Sequence, residues 1–521
     1  MCSTLGRTVS APPFSIKEVV FRELGPPRYE QLSDAIERAI RDGRLRPGDR
    51  LPPVRLLAEE LAISVTTVTS AFNLLSERKL IRAEAGRGTF VEGLAAETDA
   101  AAASGQAPAT GQPGAPALRR IVRVPWRRRA LMGLGARLRT RYPNALDCST
   151  GRPDVTLLPS ALLQRAWRTA SDASNTADLQ YAGPEVIDAL APPLVELLDR
   201  SGIPVRRDDL VIGSSAQQWM LLSLEVAALS SGADGLLVAV EEPGYPTILD
   251  AYERAGARLV PVAVDEHGAV PASLDHAFRN GATVALLTPS AHNPTGASWS
   301  PERRAALAAV VADHPGVVVV EDDQFADAAT MRPGSLLSEP GVEHQIIYIR
   351  SFSKLIAPDL RVAVAAARPR LRTLLVEAKS FSDGWTSRLL QRTLAGVLLD
   401  PELPECLARA RETYRQRRAA AADALNRVLQ QHGAGTWCGP DGLNLWVRLP
   451  QGVDATDVIE RAAAAGVRIA PGEPFFLRPG RHDVVRLNAG SAPGETAAEA
   501  GRLVGEAALV SHSEAHSLIY V

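Results

Sequence analysis

Residues 93 to 117 read GLAAETDAAAASGQAPATGQPGAPA, and this run constrains the fold more than any other feature of the chain. Its Ala, Gly, Pro, Ser, Thr and Gln side chains offer almost no large apolar surface, so the segment cannot offset the entropy of ordering its backbone. The composition predicts a flexible linker over 93–118, with one domain at 1–92 and another at 119–521. A flexible chain of about 25 such residues spans roughly 25 to 30 Å on average, so the domain before it is expected to move independently of the domain after it.

The 521 residues exceed what one hydrophobic core organises, and 46% hydrophobic with 22% charged residues is ordinary for a globular chain. No apolar run approaches the roughly 20 residues of a membrane span, and MCSTLGRTVS lacks the apolar centre of a signal peptide. The expectation is a soluble, cytoplasmic protein with no membrane partner. Cys2, Cys148, Cys406 and Cys438 are scattered, with no Cys-x-x-Cys pair and no histidines at ligand spacing, so neither a metal site nor a disulfide framework is expected. A net charge of -2 gives no global sign of nucleic acid, so basic patches have to be sought segment by segment.

Before the linker, Tyr29, Leu32, Ile36 and Ile40 recur at helical spacing, and Asp42-Gly43 followed by Pro47-Gly48 ends that helix. Val54, Leu57, Ala58 and Leu61 mark a second short helix. Ile63-Ser64 leads into a third, with Val68, Phe72 and Leu75 inward and Ser64, Thr66, Thr67, Ser70 and Asn73 outward. LIRAEAGRGTFV, residues 80 to 91, reads as a two-stranded wing with Gly86 and Gly88 at its turn. Three short helices, the third rich in hydroxyls, and an Arg-Gly wing describe a winged helix-turn-helix. A small helical subdomain whose threonines face water is the alternative from periodicity alone.

After the linker, RRIVRVPWRRRALMGLGARLRTRYP is strongly basic from Arg119 to Arg141. It suits contact with DNA phosphates or, as the favoured reading, an amphipathic helix with a solvated arginine face. From about residue 145, DLVIGSS, GLLVAVEEPGY, TVALLTPSAHNPTG, VVVVEDDQ and IIYIRSFSK each run apolar and then turn sharply polar. Such runs suit buried parallel strands whose C-terminal ends carry functional loops, hence a large α/β domain. From about residue 400, LNLWVRLP and VVRLNAG with helices between them suit a smaller α+β subdomain.

Lysine occurs only at 17, 79, 354 and 379 in a chain whose positive charge is otherwise arginine. Arginine serves a surface or phosphate role at least as well but cannot form a Schiff base, so SFSKLIAPDLR singles out Lys354. The predicted strand ends also deliver Asn293, Asp322, Ser351, Ser353 and Arg361. Pyridoxal 5'-phosphate needs this inventory: an amine for its aldehyde, a carboxylate for the pyridine nitrogen, a donor to the phenolic oxygen, and hydroxyls with a cation for the phosphate. Taken singly, Asn293 also reads as a turn residue, Asp322 as a cap, Tyr245 as core and Arg486 as a surface arginine.

Two resemblances sharpen these readings. Residues 28 to 92, through LPPVRLLAEELAISVTTVTSAFNLLSERKLI and GRGTFV, resemble the winged helix of the GntR family. That resemblance implies operator contacts from Arg55, Ser64, Thr66, Thr67 and Ser70, and from Arg87 and Gly88 at the wing. Many members carry arginine where this chain has Val65, a side chain that can pack on a thymine methyl but cannot read guanine. Residues 145 to 508, through YAGP, GSSAQQ, EEPGYP, HNPTG, EDD, SFSK, PDLR and VRLNAG, resemble fold-type I aminotransferases. The whole chain is similar to MocR-type regulators, the GntR subfamily that joins the two.

Carried over residue by residue, the resemblance implies Lys354 as the Schiff-base lysine, Asp322 on the pyridine nitrogen, Asn293 on the phenolic oxygen and Tyr245 stacked on the ring. Ser351, Ser353 and Arg361 would hold the phosphate, aided by Ala216 and Gln217. Tyr181 would reach the phosphate in a neighbouring subunit, which implies a homodimer. Arg486 would clamp a ligand carboxylate with the Gly151 loop closing nearby. Gln324 stands where the family has a tyrosine that also donates to the phenolic oxygen, which leaves the efficiency of transamination open. The expected function is a regulator that senses pyridoxal phosphate or a small amino compound and controls DNA binding, not primarily an enzyme. An active aminotransferase with an added DNA-binding module is the alternative.

Overall fold

A computed structural model describes residues 28–92 except 42–43, 47, 62, 78–79 and 85–87, and residues 125–517 except 232–235, 327 and 438. The expected linker, the wing-tip Arg87 and the lysines at 17 and 79 lie outside the described residues. The chain divides into two compact units, Met1–Pro113 and Gly114–Val521.

In the first unit, helices Arg28–Arg41, Val54–Glu60 and Val65–Glu77 bury Leu32, Ile36, Leu57, Val68, Phe72 and Leu75 in one small core. The i, i+3, i+4 spacing of those apolar residues is what makes each helix one-sided. Ser64 opens the third helix: its Oγ accepts from the amide of Thr67 at 3.1 Å and lies 2.7 Å from Thr67 Oγ1. The wing has three strands, not two, because Arg50–Leu51 pairs antiparallel with Gly88–Val91, which pairs in turn with Ile81–Glu84. Two residues, Arg50 and Leu51, are too few to leave a period-2 signature in the sequence. Gly88 is not at the turn but opens a strand with φ +119°, a conformation that favours glycine.

In the second unit, eight strands form one sheet in the order 210–213, 363–367, 346–351, 318–323, 284–287, 237–242, 258–265, 268–269. The strands over 237–242, 284–287, 318–323 and 346–351 pair in parallel, as their continuous apolar runs predict, and 258–265, which the sequence reading did not mark, joins them in parallel. Two strands run against this direction: Ala363–Ala367 is antiparallel between Ile346–Ser351 and Leu210–Gly213, and Gly268–Ala269 pairs antiparallel with Arg258–Asp265 at the edge. Alternate residues serve opposite faces: Val319 and Tyr348 enter one core, Val318, Val320 and Ile349 the other. A second sheet, 435–436, 444–448, 484–488 and 470–471, packs with helices Leu403–Leu429, Ala455–Ala464 and Thr496–Ser517 around its own core. Among the described residues no helix is long and apolar enough to cross a membrane, and no cluster of three or more His, Cys, Asp or Glu side chains is arranged to hold a metal.

The basic stretch forms helix Trp126–Arg141 with Arg128, Arg129, Arg137, Arg139 and Arg141 exposed, but they are spread around the helix, so the expected amphipathic helix with a single arginine face is not what forms. Arg127 departs from that pattern. Its side chain is 0% exposed and binds Asp250 and Glu253.

Candidate cofactor-binding site

The C-terminal ends of the parallel strands open on one cavity of about 570 Å³. Lys354, Asp322, Asn293, Tyr245, Ala216, Gln217, Ser351, Ser353, Arg361, Gln324, Gly151 and Arg486 all line it. A larger groove of about 1040 Å³, lined by Val195, Arg206, Leu337 and Pro369 among others, holds none of them. The smaller cavity is therefore the candidate on its chemistry, since a site needs convergent polar groups as well as volume.

Strand Val318–Asp323 separates two neighbouring carboxylates by its pleat. Asp323 points into the protein, where its Oδ2 accepts from Tyr348 Oη at 2.6 Å and Arg350 Nη1 at 3.2 Å. Asp322 points into the cavity, and its buried Oδ1 accepts no hydrogen bond. Burial, with Asp323 adding repulsion and Lys354 opposing it, pushes the Asp322 carboxyl up to about 7. A buried acceptor without a donor is costly, and a protonated pyridine nitrogen is the group that would satisfy it.

Lys354 follows strand Ile346–Ser351 and its Nζ donates to the carbonyl of Gly151 at 2.5 Å. Burial first, then the positive charge of Arg486, lowers the amine to about 8, against the pull of Asp322. Such an amine is partly neutral near physiological pH and able to attack an aldehyde. Lys379, the other described lysine, is a buried structural group that pairs with Asp383 at 2.5 Å.

Ser351 and Ser353 lie together, with their hydroxyls 3.2 Å apart. Arg361 lines the same end with φ +52°, a left-handed conformation that a side chain with a Cβ rarely adopts without a constraint. Helix Ala216–Ser231 begins there, and Ser215 Oγ accepts from the amide of Gln218 at 3.1 Å. Hydroxyls, an arginine and a helix N-terminus together make an anion cradle.

Arg486, from strand Val484–Asn488, donates to Asn293 Oδ1 at 3.2 Å and to the carbonyl of Ser149 at 2.7 Å, and it stacks 4.9 Å from the Phe475 ring. Burial lowers its guanidinium to about 10, with Tyr245 acting in the opposite direction. Asn293 Oδ1 also accepts from Asn444 Nδ2 at 3.2 Å.

Tyr181 alone among the predicted cofactor residues is outside the cavity, 84% exposed and edge-on to Trp385 at 5.3 Å. The sequence reading omits Ser215, Thr150, Met220 and Phe475, all on the cavity wall. Ser215 sits inside the GSSAQQ stretch already singled out, whereas nothing in EPFF marks Phe475 as part of a site. Of the predicted DNA-contacting residues, Ser64 and Thr67 open the third helix of the first unit, whose backbone also carries Thr66 and Ser70, and Arg55 lies in the second helix.

Comparison with known proteins agrees with both units. The family description "Bacterial regulatory proteins, gntR family" matches residues 28–91, and "Aminotransferase class I and II" matches residues 149–500. The chain is 30% identical to the vitamin B6 salvage pathway transcriptional repressor PtsJ of Salmonella typhimurium over 87% of this chain and 92% of that protein. It is 30% identical to the HTH-type transcriptional regulator TauR of Rhodobacter capsulatus, covering 86% and 89%. Among solved structures, LysN, the alpha-aminoadipate aminotransferase of Thermus thermophilus, complexed with N-(5'-phosphopyridoxyl)-L-leucine, matches with TM-score 0.65 and 28% identity over 77% of this chain and 98% of that one. With a GntR match at one end, an aminotransferase match over most of the remainder, and transcriptional regulators that align along most of both chains, the chain belongs to the MocR-type subfamily of GntR transcriptional regulators.

Proposed function

We propose that this regulator holds pyridoxal phosphate in the 570 Å³ cavity and reads operator DNA through its winged helix, and that cofactor or an amino compound bound in the cavity changes its grip on DNA. The observation that carries the reading is the buried Asp322 oxygen without a donor, across a cavity from a lysine whose amine is lowered to about 8. When bound, pyridoxal phosphate supplies an aldehyde that exchanges amines and an electron-accepting ring. The chain's own side chains do the rest. Lys354 would supply the amine to the aldehyde, Asp322 would keep the pyridine nitrogen protonated, and Asn293 and Gln324 would donate to the phenolic oxygen. Tyr245 covers the ring, while Ser351, Ser353, Arg361 and the start of helix Ala216–Ser231 hold the phosphate. Tyr181, exposed on its own chain, reaches the phosphate of a second copy in a homodimer. Arg486 exchanges its contacts with Asn293 and Ser149 for a ligand carboxylate, a bidentate pairing that selects amino acids over plain amines.

The test is a DNA-binding titration with the full chain and DNA drawn from around its own gene. Phosphate contacts predict an affinity that falls roughly a thousandfold or more between 50 and 200 mM salt, and amino acids that change the cofactor spectrum should also shift DNA affinity. DNA ignored at low salt would overturn the regulator reading. An aminotransferase with an appended DNA-binding module is the second reading, favoured by the joint presence of Lys354, Asp322 and Arg486 in the cavity. Sustained turnover of an amino acid and a 2-oxo acid, with DNA affinity indifferent to both, would select it.

Two substitutions test the site. Arg486→Ala should keep the resting cofactor spectrum and lose the response to amino acids, because the phosphate end is held by other residues; equal responses would remove Arg486 from the ligand end. Gln324→Tyr adds a phenolic donor beside the phenolic oxygen and should shift the pH midpoint of the cofactor band. An unchanged titration would mean that residue 324 does not reach the cofactor.

A further inference from the structure

Helix Leu403–Leu429 passes through three cores, with Leu403 in that of the large sheet, Ala410 and Tyr414 in a small cluster beside Phe325 and Leu355, and Ala421, Leu425 and Leu429 in that of the smaller subdomain. Midway along, it holds segments next to two parts of the cofactor cavity's wall, the Gly151 loop and the loops that carry Asn293 and Gln324. On one side, Tyr414 Oη accepts from the amide of Asp154 at 3.1 Å, and Arg417 Nη1 donates to Asp154 Oδ2 at 2.7 Å and to the carbonyl of Gly490 at 2.8 Å. Asp154 is three residues beyond Gly151, whose carbonyl accepts from Lys354.

On the other side, the adjacent Arg418 donates to the carbonyls of Gly439 at 2.6 Å, Pro440 at 2.5 Å and Asn444 at 3.2 Å. Residues 439–442 form a strap over the loops that carry Asn293 and Gln324. The Gly439 amide donates to Thr295 O at 2.8 Å and the Asp441 amide to Gly296 O at 3.1 Å. The buried Asp441 carboxylate accepts from the Thr330 amide and hydroxyl, each at 2.6 Å, from the Met331 amide at 3.2 Å and from Ser298 Oγ at 2.9 Å. The fit is close enough that a Cβ on Gly439 would collide with the backbone of Ala297.

We propose that helix Leu403–Leu429 is the spacer of the cavity: Tyr414 and Arg417 hold the wall bearing Gly151, Arg418 and the Asp441 strap hold the wall bearing Asn293 and Gln324, and one rigid rod sets their separation. Arg417, Arg418 and Asp441 are positioning residues, since none of them lines the cavity. The helix is then the element through which occupancy of the site is felt by the smaller subdomain. The proposal takes only the identity of the occupant from the cofactor reading, because the coupling of the walls is measurable without cofactor.

The experiment is amide hydrogen exchange on the full chain without added cofactor, followed by titration with pyridoxal phosphate. Asp441→Asn turns an acceptor into a donor facing other donors, so the Thr330 and Met331 amides should exchange about tenfold faster or more, the scale of one lost charge-assisted bond. If the helix couples the walls, amides over 152–156 also accelerate, and Asp441→Asn and Arg418→Met each bind pyridoxal phosphate about tenfold more weakly with a shifted pH midpoint. Thr330→Val removes a single donor to the same carboxylate and serves should Asp441→Asn fail to fold. Faster exchange confined to 328–331, with affinity and midpoint within about twofold of wild type, overturns the spacer. A wild-type chain that takes up no pyridoxal phosphate while exchange spreads to both walls overturns the cofactor reading and supports the spacer.

Discussion

Lys354→Ala should abolish covalent attachment of pyridoxal phosphate: borohydride is expected to fix the cofactor to the peptide SFSKLIAPDLR in the wild-type protein, and the corresponding peptide of the variant should carry no label. Residual non-covalent binding should persist through Ser351, Ser353 and Arg361, which line the cavity independently of the amine. DNA binding should persist as well, but any response to amino acids should be lost. The rate of loading carries a pH signature. With the amine lowered to about 8 by burial and by Arg486, its neutral fraction is roughly a hundredfold smaller at pH 6 than at pH 9, and loading should slow in proportion. The same lysine binds fewer protons in the folded chain than in the unfolded one between about 8 and its usual 10.5, so its contribution to stability rises with pH across that window. Mass spectrometry of the reduced protein decides the matter: label on Lys379, which is buried against Asp383 and Thr386, would remove Lys354 from the role.

Arg127→Met should cost about 3 to 5 kcal/mol of stability, the usual scale for removing one partner of a buried ion pair. The guanidinium meets Asp250 Oδ1 at 3.0 Å, Glu253 Oε2 at 2.8 Å, and the carbonyls of Phe476 at 3.1 Å and Leu477 at 2.9 Å. Helix Trp126–Arg141 is thereby fastened to helix Pro246–Arg254, directly after Tyr245, and to the segment after Phe475, both of which border the cavity. Burial already raises the Asp250 carboxyl above its ordinary value, with Arg127 opposing that shift. Without Arg127 it rises further, so the variant's deficit should be largest near neutral pH and shrink as Asp250 takes up a proton. Urea denaturation at two pH values measures both effects. A loss below about 1 kcal/mol, the scale of an exposed ion pair, would mean that Arg127 is solvated.

Patterning along the chain was sufficient for much of this molecule. Apolar runs ending in Gly, Pro, Ser and Asp marked five of the strands in the large sheet, because a strand buried on both faces must be apolar throughout and its exit loop must be polar. A scarce lysine among arginines, placed just after a serine-bearing strand end, was enough to single out Lys354 as the candidate. Helical spacing alone placed Leu32, Ile36, Val68, Phe72 and Leu75 in one core.

Packing between distant segments decided the rest. The short strand Arg50–Leu51 and the alanine-rich strand Ala363–Ala367 exist because partners supply their hydrogen bonds, and neither carries a period that could announce it. Arg127 and Arg139 stand in the same basic helix and look alike in sequence, yet one is sealed against two carboxylates and the other is exposed, since only the fold brings Asp250 and Glu253 to the first. Asp322 and Asp323 are neighbours whose roles separate by the pleat of one strand. Asp154 meets Arg417, Arg418 meets the 439–444 segment, and Asp441 meets Ser298 and Thr330 only because the fold brings helix Leu403–Leu429 beside segments some hundreds of residues away, a relation that no local propensity encodes.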